Sequence, residues 1–321
     1  MRFLVTGGAG YIGSTVTTLL IEDGHEVTVL DDLSCGHASA VPDGVTFVRG
    51  SVQDTAEEVL AARSYDGVLH FAGFIQVAES VAEPERYWNN NVAATIKLLE
   101  AMHRHGVPRL VFSSTGTVYG DTAQLPITES APIAPLNPYA ATKAAVDTML
   151  TGYATARDVA ATSLRYFNAS GALLRPHGKS CGERHDPESH LIPLVLEVAA
   201  GEREFLPLYG DDYDTTDGTC VRDYIHVADL ASAHLLALAK TRPGEHAVYN
   251  LGNGLGYSNL QVVQAVRDVT GHPVPVKLAP RRPGDIVTQV ASSAKAMTEL
   301  GWRPTRPDLH DIVADAWAFR S

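Results

Sequence analysis

The sequence predicts an α/β protein: a doubly wound, Rossmann-type parallel sheet with a second, smaller α/β lobe. Short runs of β-branched residues alternate with amphipathic helical patterns through the first half of the chain, and this alternation predicts βαβ units around a parallel sheet. A glycine-rich turn follows the first of these runs. The chain has 321 residues, which is too long for one small core and suits a large unit with a second lobe.

Six segments of the first half are predicted as strands because they are short, apolar and rich in β-branched residues. They are Phe3–Thr6, Glu26–Leu30, Val45–Val48, Gly67–Phe71, Arg109–Ser113 and Thr162–Tyr166. Apolar residues at helical spacing lie between several of them, for example Val92, Ile96 and Leu99. Helices are therefore expected to cover both faces of the sheet.

The second half of the chain is less regular. The segments Gly171–His190 and Glu202–Cys220 lack a clear period and are predicted as long loops, which commonly carry binding residues. Helical patterns return in Leu191–Ala200, Val227–Lys240, Leu260–Thr270, Ser293–Leu300 and Leu309–Phe319. We expect a Rossmann domain over residues 1–171 and a smaller lobe over residues 172–321, with part of residues 222–252 packing back onto the first domain.

Composition and charge exclude several classes of function. The net charge is −12 and no basic stripe is present, so the chain is not expected to bind nucleic acid. The N-terminus lacks a secretory signal and no apolar stretch has the length of a membrane span, so we expect no membrane association and a cytoplasmic location. Three cysteines without CxxC spacing indicate neither a disulfide framework nor a zinc site, and no metal is expected.

The glycine-rich turn has the spacing and context of a dinucleotide-binding loop. The first predicted strand leads into TGGAGYIG, Thr6–Gly13, and then into a helix. Gly7 permits a tight turn, Gly10 lets a pyrophosphate reach the N-terminus of the helix, and Gly13 lets the helix pack closely on the strand. The next strand leads to Asp31, whose carboxylate can accept hydrogen bonds from an adenosine ribose and would repel a 2′-phosphate. The sequence therefore predicts that the chain binds NAD rather than NADP.

A second pattern predicts acid–base chemistry. Tyr139 and Lys143 lie four residues apart in a predicted helix that opens at Pro138, so they share one helix face. A free tyrosine has a pKa near 10, which is too high for a base at neutral pH. A neighbouring ammonium and the positive charge of an oxidised nicotinamide would lower this pKa. Tyr139 is therefore a candidate base for a substrate hydroxyl.

The GxxGxxG loop and the YxxxK pair together resemble the extended branch of the short-chain dehydrogenase/reductase superfamily. In that superfamily a serine or threonine after the fifth strand completes the active site. The matching segment here is Phe112–Gly120. The resemblance implies that Thr115 hydrogen-bonds the same substrate oxygen as Tyr139.

Further segments, spread over nearly the whole chain, resemble the UDP-glucose 4-epimerases of that branch. They include LHFAG over 69–73, YWNNNV over 87–92, LRYFN over 164–168 and, most specific, DGTCVRDYIHV over 217–227. The implied reaction oxidises the 4′-hydroxyl of a UDP-sugar, turns the 4-ketose over in the pocket and reduces its opposite face. UDP-glucose and UDP-galactose would thereby interconvert, in galactose metabolism, while NAD is regenerated in each cycle.

The resemblance, added to the glycine loop and Asp31, assigns a role to each matching residue. Catalytic roles are implied for Tyr139, Lys143 and Thr115. Cofactor contacts are expected at Gly7, Gly10, Tyr11, Ile12, Gly13, Asp31, Asp32, Leu33, Ser34, Gly36, Ser51, Val52, Phe71, Ala72, Gly73, Asn91, Ser113, Tyr139, Lys143 and Tyr166. Contacts to the UDP-sugar in the lobe of residues 172–321 and beside it are expected at Thr115, Tyr139, Asn168, His190, Leu191, Tyr209, Arg222, Tyr224, Arg282, Asp285 and Gln289.

Four positions depart from the family pattern. Ser51 stands where an adenine-contacting Asp is common, and Ile75 replaces a lysine that some members place near the cofactor. His190 stands where an Asn often contacts a substrate phosphate. Gln289 occupies the position that gates the sugar pocket, where a bulky aromatic excludes N-acetylated sugars and a small residue admits them. Activity on N-acetylhexosamines therefore stays open.

The same scaffold can carry other functions. A 4-epimerase of UDP-N-acetylglucosamine, UDP-xylose or UDP-glucuronate would use the same residues. A nucleotide-sugar 4,6-dehydratase needs an Asp-Glu pair after Thr115, where this chain has Gly116 and Thr117. A non-catalytic NAD-sensing protein could dispense with Tyr139 and Lys143, which this chain retains. The resemblance also implies a homodimer packed through the helix that carries Tyr139.

Overall fold

The computed structural model describes residues 1–282 and 284–320, so two residues, Pro283 and Ser321, lie outside the described residues. Pro283 belongs to the sequence RRPGD of residues 281–285, which also resembles the epimerases. The strands are β1 Arg2–Thr6, β2 Glu26–Asp31, β3 Thr46–Arg49, β4 Gly67–His70, β5 Arg109–Thr115, β6 Ala160–Tyr166, β7 Asn168–Ser170, β8 Ala172–Leu173, β9 Cys181–Gly182, β10 Leu206–Tyr209, β11 Val221–His226, β12 His246–Leu251, β13 Gly256–Ser258, β14 Val276–Ala279 and β15 Thr288–Gln289. The helices are α1 Tyr11–Glu22, α2 Val52–Ala62, α3 Val77–Ala82, α4 Pro84–Tyr87, α5 Ala94–Arg104, α6 Pro138–Arg157, α7 Leu191–Ala199, α8 Val227–Lys240, α9 Asn259–Thr270 and α10 Leu309–Arg320. Two π-helical turns lie at Trp88–Ala93 and Ala296–Leu300, and 3₁₀ turns lie at Ala38–Ala40 and Gly116–Tyr119.

A seven-stranded parallel sheet forms the centre of the fold. Its order is β3-β2-β1-β4-β5-β6-β12, and each neighbouring pair runs parallel. The order reverses direction at β1, and this reversal places the carboxyl ends of β1 and β4 side by side at a crevice. The predicted doubly wound, Rossmann-type sheet is confirmed, and its six predicted strands are found within two residues of their predicted ends.

The seventh strand was not predicted. After β6 the chain leaves the central sheet, forms β7 to β11 and α7, and returns through α8 to place β12 beside β6. Leu230 of α8 and Leu251 of β12 belong to the same buried cluster as Phe3 of β1. Within residues 222–252, α8 and β12 thus pack with the central sheet, whereas Tyr224 of β11 belongs to the core of the smaller lobe. The division at residue 171 stays a prediction.

The smaller lobe contains short strands where two loops were predicted. Leu206–Tyr209 pairs with Val276–Ala279 in parallel, so the prediction of a loop over Glu202–Cys220 is wrong in that part. Ala172–Leu173 pairs with Cys181–Gly182, which interrupts the predicted loop Gly171–His190. Both predictions fail because these strands are two to four residues long and carry no period of their own.

Apolar side chains cover both faces of the central sheet. On one face, Val16 and Leu20 of α1 pack in a cluster with residues of α8. On the other, Leu98 of α5 and Val146 of α6 share a cluster with residues of α2. A third cluster, formed by α7, α9 and α10, is the core of the smaller lobe. Among the described residues, no helix is both long and apolar enough to cross a bilayer.

One buried histidine of the central sheet predicts acid sensitivity. His70 of β4 lies between Thr6 Oγ1, 2.6 Å from Nδ1, and Thr95 Oγ1, 2.9 Å from Nε2. Burial, with a smaller effect from Lys143, lowers the pKa of His70 to about 3. Because the unfolded chain would protonate this residue near pH 6.5, the unfolded state binds the proton first as the pH falls. The stability that neutral His70 provides is complete above pH 6.5 and is lost progressively below it.

The substitution His70→Gln should therefore make the pH dependence of stability shallower. Between pH 6.5 and pH 4, we expect the free energy of unfolding to fall by up to about 1.4 kcal/mol per pH unit less in this variant than in the wild type. Urea unfolding at three pH values measures this slope. The exposed His103 gives the matched control, since His103→Gln should keep the wild-type slope. Equal slopes for wild type and His70→Gln would contradict the assignment of a buried neutral histidine.

Candidate active site at the carboxyl edge of the sheet

The glycine loop connects β1 to α1 at the crevice. Gly7 and Gly13 are required there because neighbouring backbone atoms leave no space for a side chain. Gly7 has a φ of +72°, and a Cβ there would lie 2.5 Å from the backbone nitrogen of Ala72. A Cβ at Gly13 would lie 2.2 Å from the carbonyl oxygen of Gly7. At Gly10 a Cβ would meet only that same oxygen, at 3.3 Å. The loop therefore leaves open space at Gly10, beside the N-terminus of α1, where backbone N–H groups favour an anion.

Asp31 ties this loop to the end of β2. Its carboxylate accepts hydrogen bonds from the backbone nitrogens of Ala9, at 2.9 Å, and Leu33, at 2.8 Å. Burial raises the pKa of Asp31, and the two hydrogen bonds oppose that shift. A Cβ at Gly36 would approach Asp31 Oδ1 to 3.0 Å, so the predicted Asp32–Gly36 segment folds back over the carboxylate. Asp32 accepts a hydrogen bond from the backbone nitrogen of Ser34.

The Phe71-Ala72-Gly73 segment lies against the same loop at the end of β4. The backbone nitrogens of Phe71 and Ala72 both donate to the carbonyl oxygen of Thr6, at 2.9 and 3.1 Å. A Cβ at Gly73 would lie 3.2 Å from Asn91 Oδ1 and 3.3 Å from Lys143 Nζ. Three predicted cofactor contacts from separate segments, Gly73, Asn91 and Lys143, thus meet at one point of the crevice.

Asn91 is held in place by its own amide. It lies in the π-helical turn Trp88–Ala93, where its Oδ1 accepts from the Phe74 nitrogen at 2.8 Å. Its Nδ2 donates to the Phe74 carbonyl and to Thr142 Oγ1, at 3.0 and 3.1 Å. Phe74 and Thr142 were not predicted, since their contribution is to orient Asn91 rather than to face the crevice.

Helix α6 brings Tyr139 and Lys143 to the end of β5. Asn137 caps the helix by accepting a hydrogen bond from the Ala140 nitrogen at 2.9 Å. Lys143 Nζ donates to the Ser113 carbonyl at 2.9 Å and lies 4.8 Å from the centroid of the Phe112 ring. The Ser113 hydroxyl is in short contact with the hydroxyl of Tyr166, another predicted cofactor contact.

Thr115 completes this group. It is the last residue of β5, and its hydroxyl interacts with the Tyr139 side chain in the sense that lowers the pKa of that phenol. Thr115 Oγ1 also accepts from the Thr117 backbone nitrogen at 3.2 Å, which fixes it at the start of a 3₁₀ turn. Tyr139, Lys143 and Thr115 are therefore brought together, from two elements, at the crevice.

Burial dominates the pKa values of this group. It raises the pKa of Tyr139 to about 12, against the opposing hydrogen bond from Thr115. It lowers the pKa of Lys143 to about 8, against the opposing charge of Asp147. The protein groups alone therefore do not produce the lowered tyrosine pKa that the sequence pattern suggested, because desolvation of the phenolate outweighs them.

The predicted substrate residues form two groups. Arg222 and Gln289 are register partners in β11 and β15, and Gln289 Nε2 donates to the Gly116 carbonyl at 3.3 Å, beside Thr115. Asn168 of β7 is the register partner of Tyr224 and donates to the Asp223 carbonyl at 2.9 Å. These residues thus lie on β11 or on a strand paired with it. Gln289 connects this group to the catalytic residues, since it contacts Gly116 next to Thr115.

The second substrate group surrounds Tyr209 at the end of β10. The Arg282 guanidinium lies 4.7 Å from the centroid of the Tyr209 ring, and its Nε lies 3.2 Å from Asp285 Oδ2. The Tyr213 hydroxyl donates to the same oxygen at 3.4 Å. Tyr213 was missed by the sequence reasoning, although it closes the YGDDY pattern of residues 209–213.

Several predicted residues have other partners. Ser51 caps α2: its hydroxyl accepts from the Asp54 nitrogen at 3.1 Å and donates to the Asp54 carboxylate at 2.7 Å, and Val52 is the first residue of that helix. Tyr11, which opens α1 ahead of Ile12, donates to the Gly171 carbonyl at 2.7 Å. His190 precedes Leu191 at the start of α7, and its ring is in short contact with Glu183. Cofactor or substrate contacts at these positions stay predictions.

Comparison with known proteins places this geometry in a family. The sequence model of the NAD dependent epimerase/dehydratase family matches residues 3–252 of this chain. Over its whole length the chain is 53% identical to a UDP-glucose 4-epimerase of Corynebacterium glutamicum and 56% identical to one of Streptomyces lividans, covering 96% of each relative. A solved structure of UDP-glucose 4-epimerase from Bifidobacterium longum in complex with NAD⁺ and UDP is 39% identical, with a TM-score of 0.92, and the match covers 100% of this chain and 98% of that one.

Proposed function

The chain belongs to the NAD dependent epimerase/dehydratase family, and from this premise we propose that it is a UDP-glucose 4-epimerase that interconverts UDP-glucose and UDP-galactose with NAD. The observation that carries the proposal is the meeting of Tyr139, Lys143 and Thr115 at the crevice that the glycine loop opens. Full-length relatives with this activity support it.

The residues at the crevice fit NAD. The open space at Gly10 and the first turn of α1 suit a pyrophosphate, and Asp31 suits the adenosine ribose. On the far side of the crevice, Lys143 would hold the nicotinamide ribose, and Phe71, Asn91 and Tyr166 would line its surroundings. When bound, NAD supplies a group that accepts the hydride from C4 of the sugar and returns it to the opposite face.

We assign the proton transfers to Tyr139. Its phenolate oxygen would take the 4′-hydroxyl proton of the sugar as the C4 hydride leaves, and the resulting hydroxyl would return that proton when the 4-ketose is reduced. Thr115 would hydrogen-bond the same sugar oxygen and shorten the path to Tyr139. Because burial raises the pKa of Tyr139 to about 12 in the protein alone, with Lys143 already in place, the phenolate needs further positive charge, which the oxidised cofactor would provide.

We assign the UDP moiety to the smaller lobe. Arg222 and Arg282 carry the guanidinium groups that suit phosphate oxygens. Arg282 is more than half exposed and engages Asp285 and Tyr209, so its guanidinium can turn toward a ligand, while Asp285 keeps the hydrogen bond from the Tyr213 hydroxyl. Asn168, Leu191, Tyr209 and Tyr224 complete the proposed pocket. Firm binding of UDP would leave the sugar free to present either face.

Dehydration is disfavoured by the residues after Thr115. A Cβ at Gly116 would lie 2.8 Å from the Phe167 ring, so an acidic side chain there would require that ring to shift. The next residue, Thr117, uses its hydroxyl to contact Thr115 Oγ1 at 3.0 Å. The acid and base that a 4,6-dehydratase needs are therefore not supplied at these two positions.

Incubation of the purified protein with UDP-galactose and no added cofactor tests the proposal. We expect UDP-glucose to form until the two sugars reach equilibrium, because NAD regenerated in each cycle can remain bound. Chromatography of the nucleotide sugars measures the conversion. UDP-N-acetylgalactosamine in the same assay tests the pocket beside Gln289, which is 5% exposed. Failure to convert UDP-galactose, with and without added NAD⁺, would overturn the proposal.

We further propose, from the family resemblance, that the protein forms a homodimer through α6. The exposed residues Thr148, Thr151 and Gly152 lie on that helix and are small enough to let a second helix approach closely. The cytoplasmic location and the division into residues 1–171 and 172–321 also stay predictions.

A further inference from the structure

Two histidines and two glutamates of the smaller lobe converge at one point, and only one of them, His190, is an expected substrate contact. They are Glu183, His185, Glu188 and His190, and one ligand atom from each lies within 4.8 Å of all the others. They occupy eight consecutive positions with the pattern E-x-H-x-x-E-x-H, between β9 and α7. The NAD-dependent reaction proposed above gives no role to His185, Glu183 or Glu188.

The distances within this cluster suit a small cation. His185 Nδ1 lies 3.0 Å from Glu183 Oε1 and 3.8 Å from Glu188 Oε1. Ligand atoms around a tetrahedral zinc ion lie about 3.3 Å apart, given metal–ligand bonds of roughly 2.0–2.1 Å. Glu183 and His190 are in still closer contact. A modest expansion of the cluster would therefore accommodate the ion.

Burial and hydrogen bonding also distinguish the cluster from a solvated surface patch. The side chains of Glu183 and Glu188 are 7% and 8% exposed. His185 Nδ1 is buried and has no hydrogen-bond partner in the described part of the chain, although it faces Glu183 at 3.0 Å. A buried ring nitrogen that faces buried carboxylates without hydrogen-bond geometry must be satisfied either by an ion pair with them or by a cation held between them.

We propose that Glu183, His185, Glu188 and His190 form a structural site for a divalent transition metal ion, with zinc as the best match. Imidazole nitrogens and carboxylate oxygens are established zinc ligands, and four protein ligands are typical of closed, structural sites. Two carboxylates with two neutral imidazoles carry a charge of −2, which a divalent ion cancels.

The position of the cluster indicates what the ion would stabilise. The carbonyl of Arg184, inside the cluster segment, accepts a hydrogen bond from His37 Nε2 at 2.8 Å, in the loop after β2. Thr18 Oγ1 of α1 lies 3.4 Å from Cys181 Sγ at the start of the segment. The site would hold the start of α7, including Leu191, against the cofactor-binding domain. Coordination of the ion through Nδ1 of His190 would also leave the ring proton on Nε2. From there it could form the hydrogen bond to a substrate phosphate that is expected of this residue.

Zinc binding to untagged, chelator-treated protein tests the proposal. Titration with ZnCl₂ against a chromophoric competing chelator should show one ion per chain, and Co²⁺ in its place should give the visible bands of a four-coordinate site. His185→Gln and Glu188→Gln should each weaken zinc binding by at least about tenfold. Their far-UV circular dichroism and their NAD content report that each variant still folds.

The surface residue His310 provides a matched control. Its ring nitrogens lie 3.4 Å from Asp268 and 3.5 Å from Asp308, so it also has two acidic neighbours, but it is exposed. His310→Gln should retain the wild-type zinc stoichiometry. The proposal is overturned if the wild type binds no stoichiometric zinc, in which case the cluster is a set of histidine–glutamate ion pairs. It is also overturned if both cluster variants bind zinc as the wild type does.

Discussion

Replacing Tyr139 with phenylalanine is expected to lower kcat for UDP-galactose by a factor of about 10²–10⁴, the usual contribution of a positioned acid–base group. The substitution removes the hydroxyl that interacts with Thr115 and leaves the ring of this residue, which is 9% exposed, to fill the same space. Neither Lys143, anchored on the Ser113 carbonyl, nor the glycine loop should move. NAD content should therefore stay near the wild-type level while turnover collapses.

The measurement is initial-rate kinetics together with the NAD released on denaturation. Tyr153→Phe is the matched control, because Tyr153 lies on the same helix, α6, and should leave kcat unchanged. Turnover by Tyr139→Phe within about twofold of the wild type would show that another group transfers the proton. Loss of bound NAD in parallel with activity would instead assign Tyr139 a structural role in cofactor binding.

Replacing Asp223 with alanine is expected to destabilise the protein by at least about 3 kcal/mol. Asp223 is fully buried, and its carboxylate accepts three backbone hydrogen bonds, from Asn253 at 2.8 Å and from Gly254 and Ala291 at 3.0 Å. The alanine leaves three buried N–H groups without an acceptor, and each such group costs roughly 1–3 kcal/mol. The loss should also loosen the neighbouring Arg222.

Urea unfolding followed by circular dichroism measures this effect. Asp223→Asn keeps one acceptor oxygen and should fall between alanine and wild type. The exposed Asp121 is the control, and Asp121→Ala should change the free energy of unfolding by no more than about 0.5 kcal/mol. A value for Asp223→Ala within that same range would mean that water or a shifted backbone satisfies the three N–H groups.

The first half of the fold could be predicted because its information is local. Each strand of the central sheet up to β6 is a short apolar run, and Gly7, Gly13 and Asp31 mark the crevice through chemistry that other residue types cannot supply. Tyr139 and Lys143 were assigned to one face because helix geometry alone brings positions four apart together.

The remaining features depend on contacts between distant parts of the chain. β10 pairs with β14, about 70 residues further on, and neither strand shows alternation of its own. Asp223 resembles any other aspartate until its three partners are seen. The expectation of no metal rests on cysteine spacing and stays a prediction, because the convergence of the histidines and glutamates of residues 183–190 is visible only in the folded chain. The raised pKa of Tyr139 was missed because the extent of burial is not visible in the YxxxK pattern.

The position of β12 late in the chain affects how the protein folds during synthesis. β6 receives its second neighbour from residues 246–251, about 80 residues after β6 itself is synthesised. While the chain is emerging from the ribosome, β6 therefore presents an unpaired edge of the kind that recruits other strands. The cofactor-binding half cannot be completed by its own segment alone, so the two lobes are expected to mature as one unit rather than in succession.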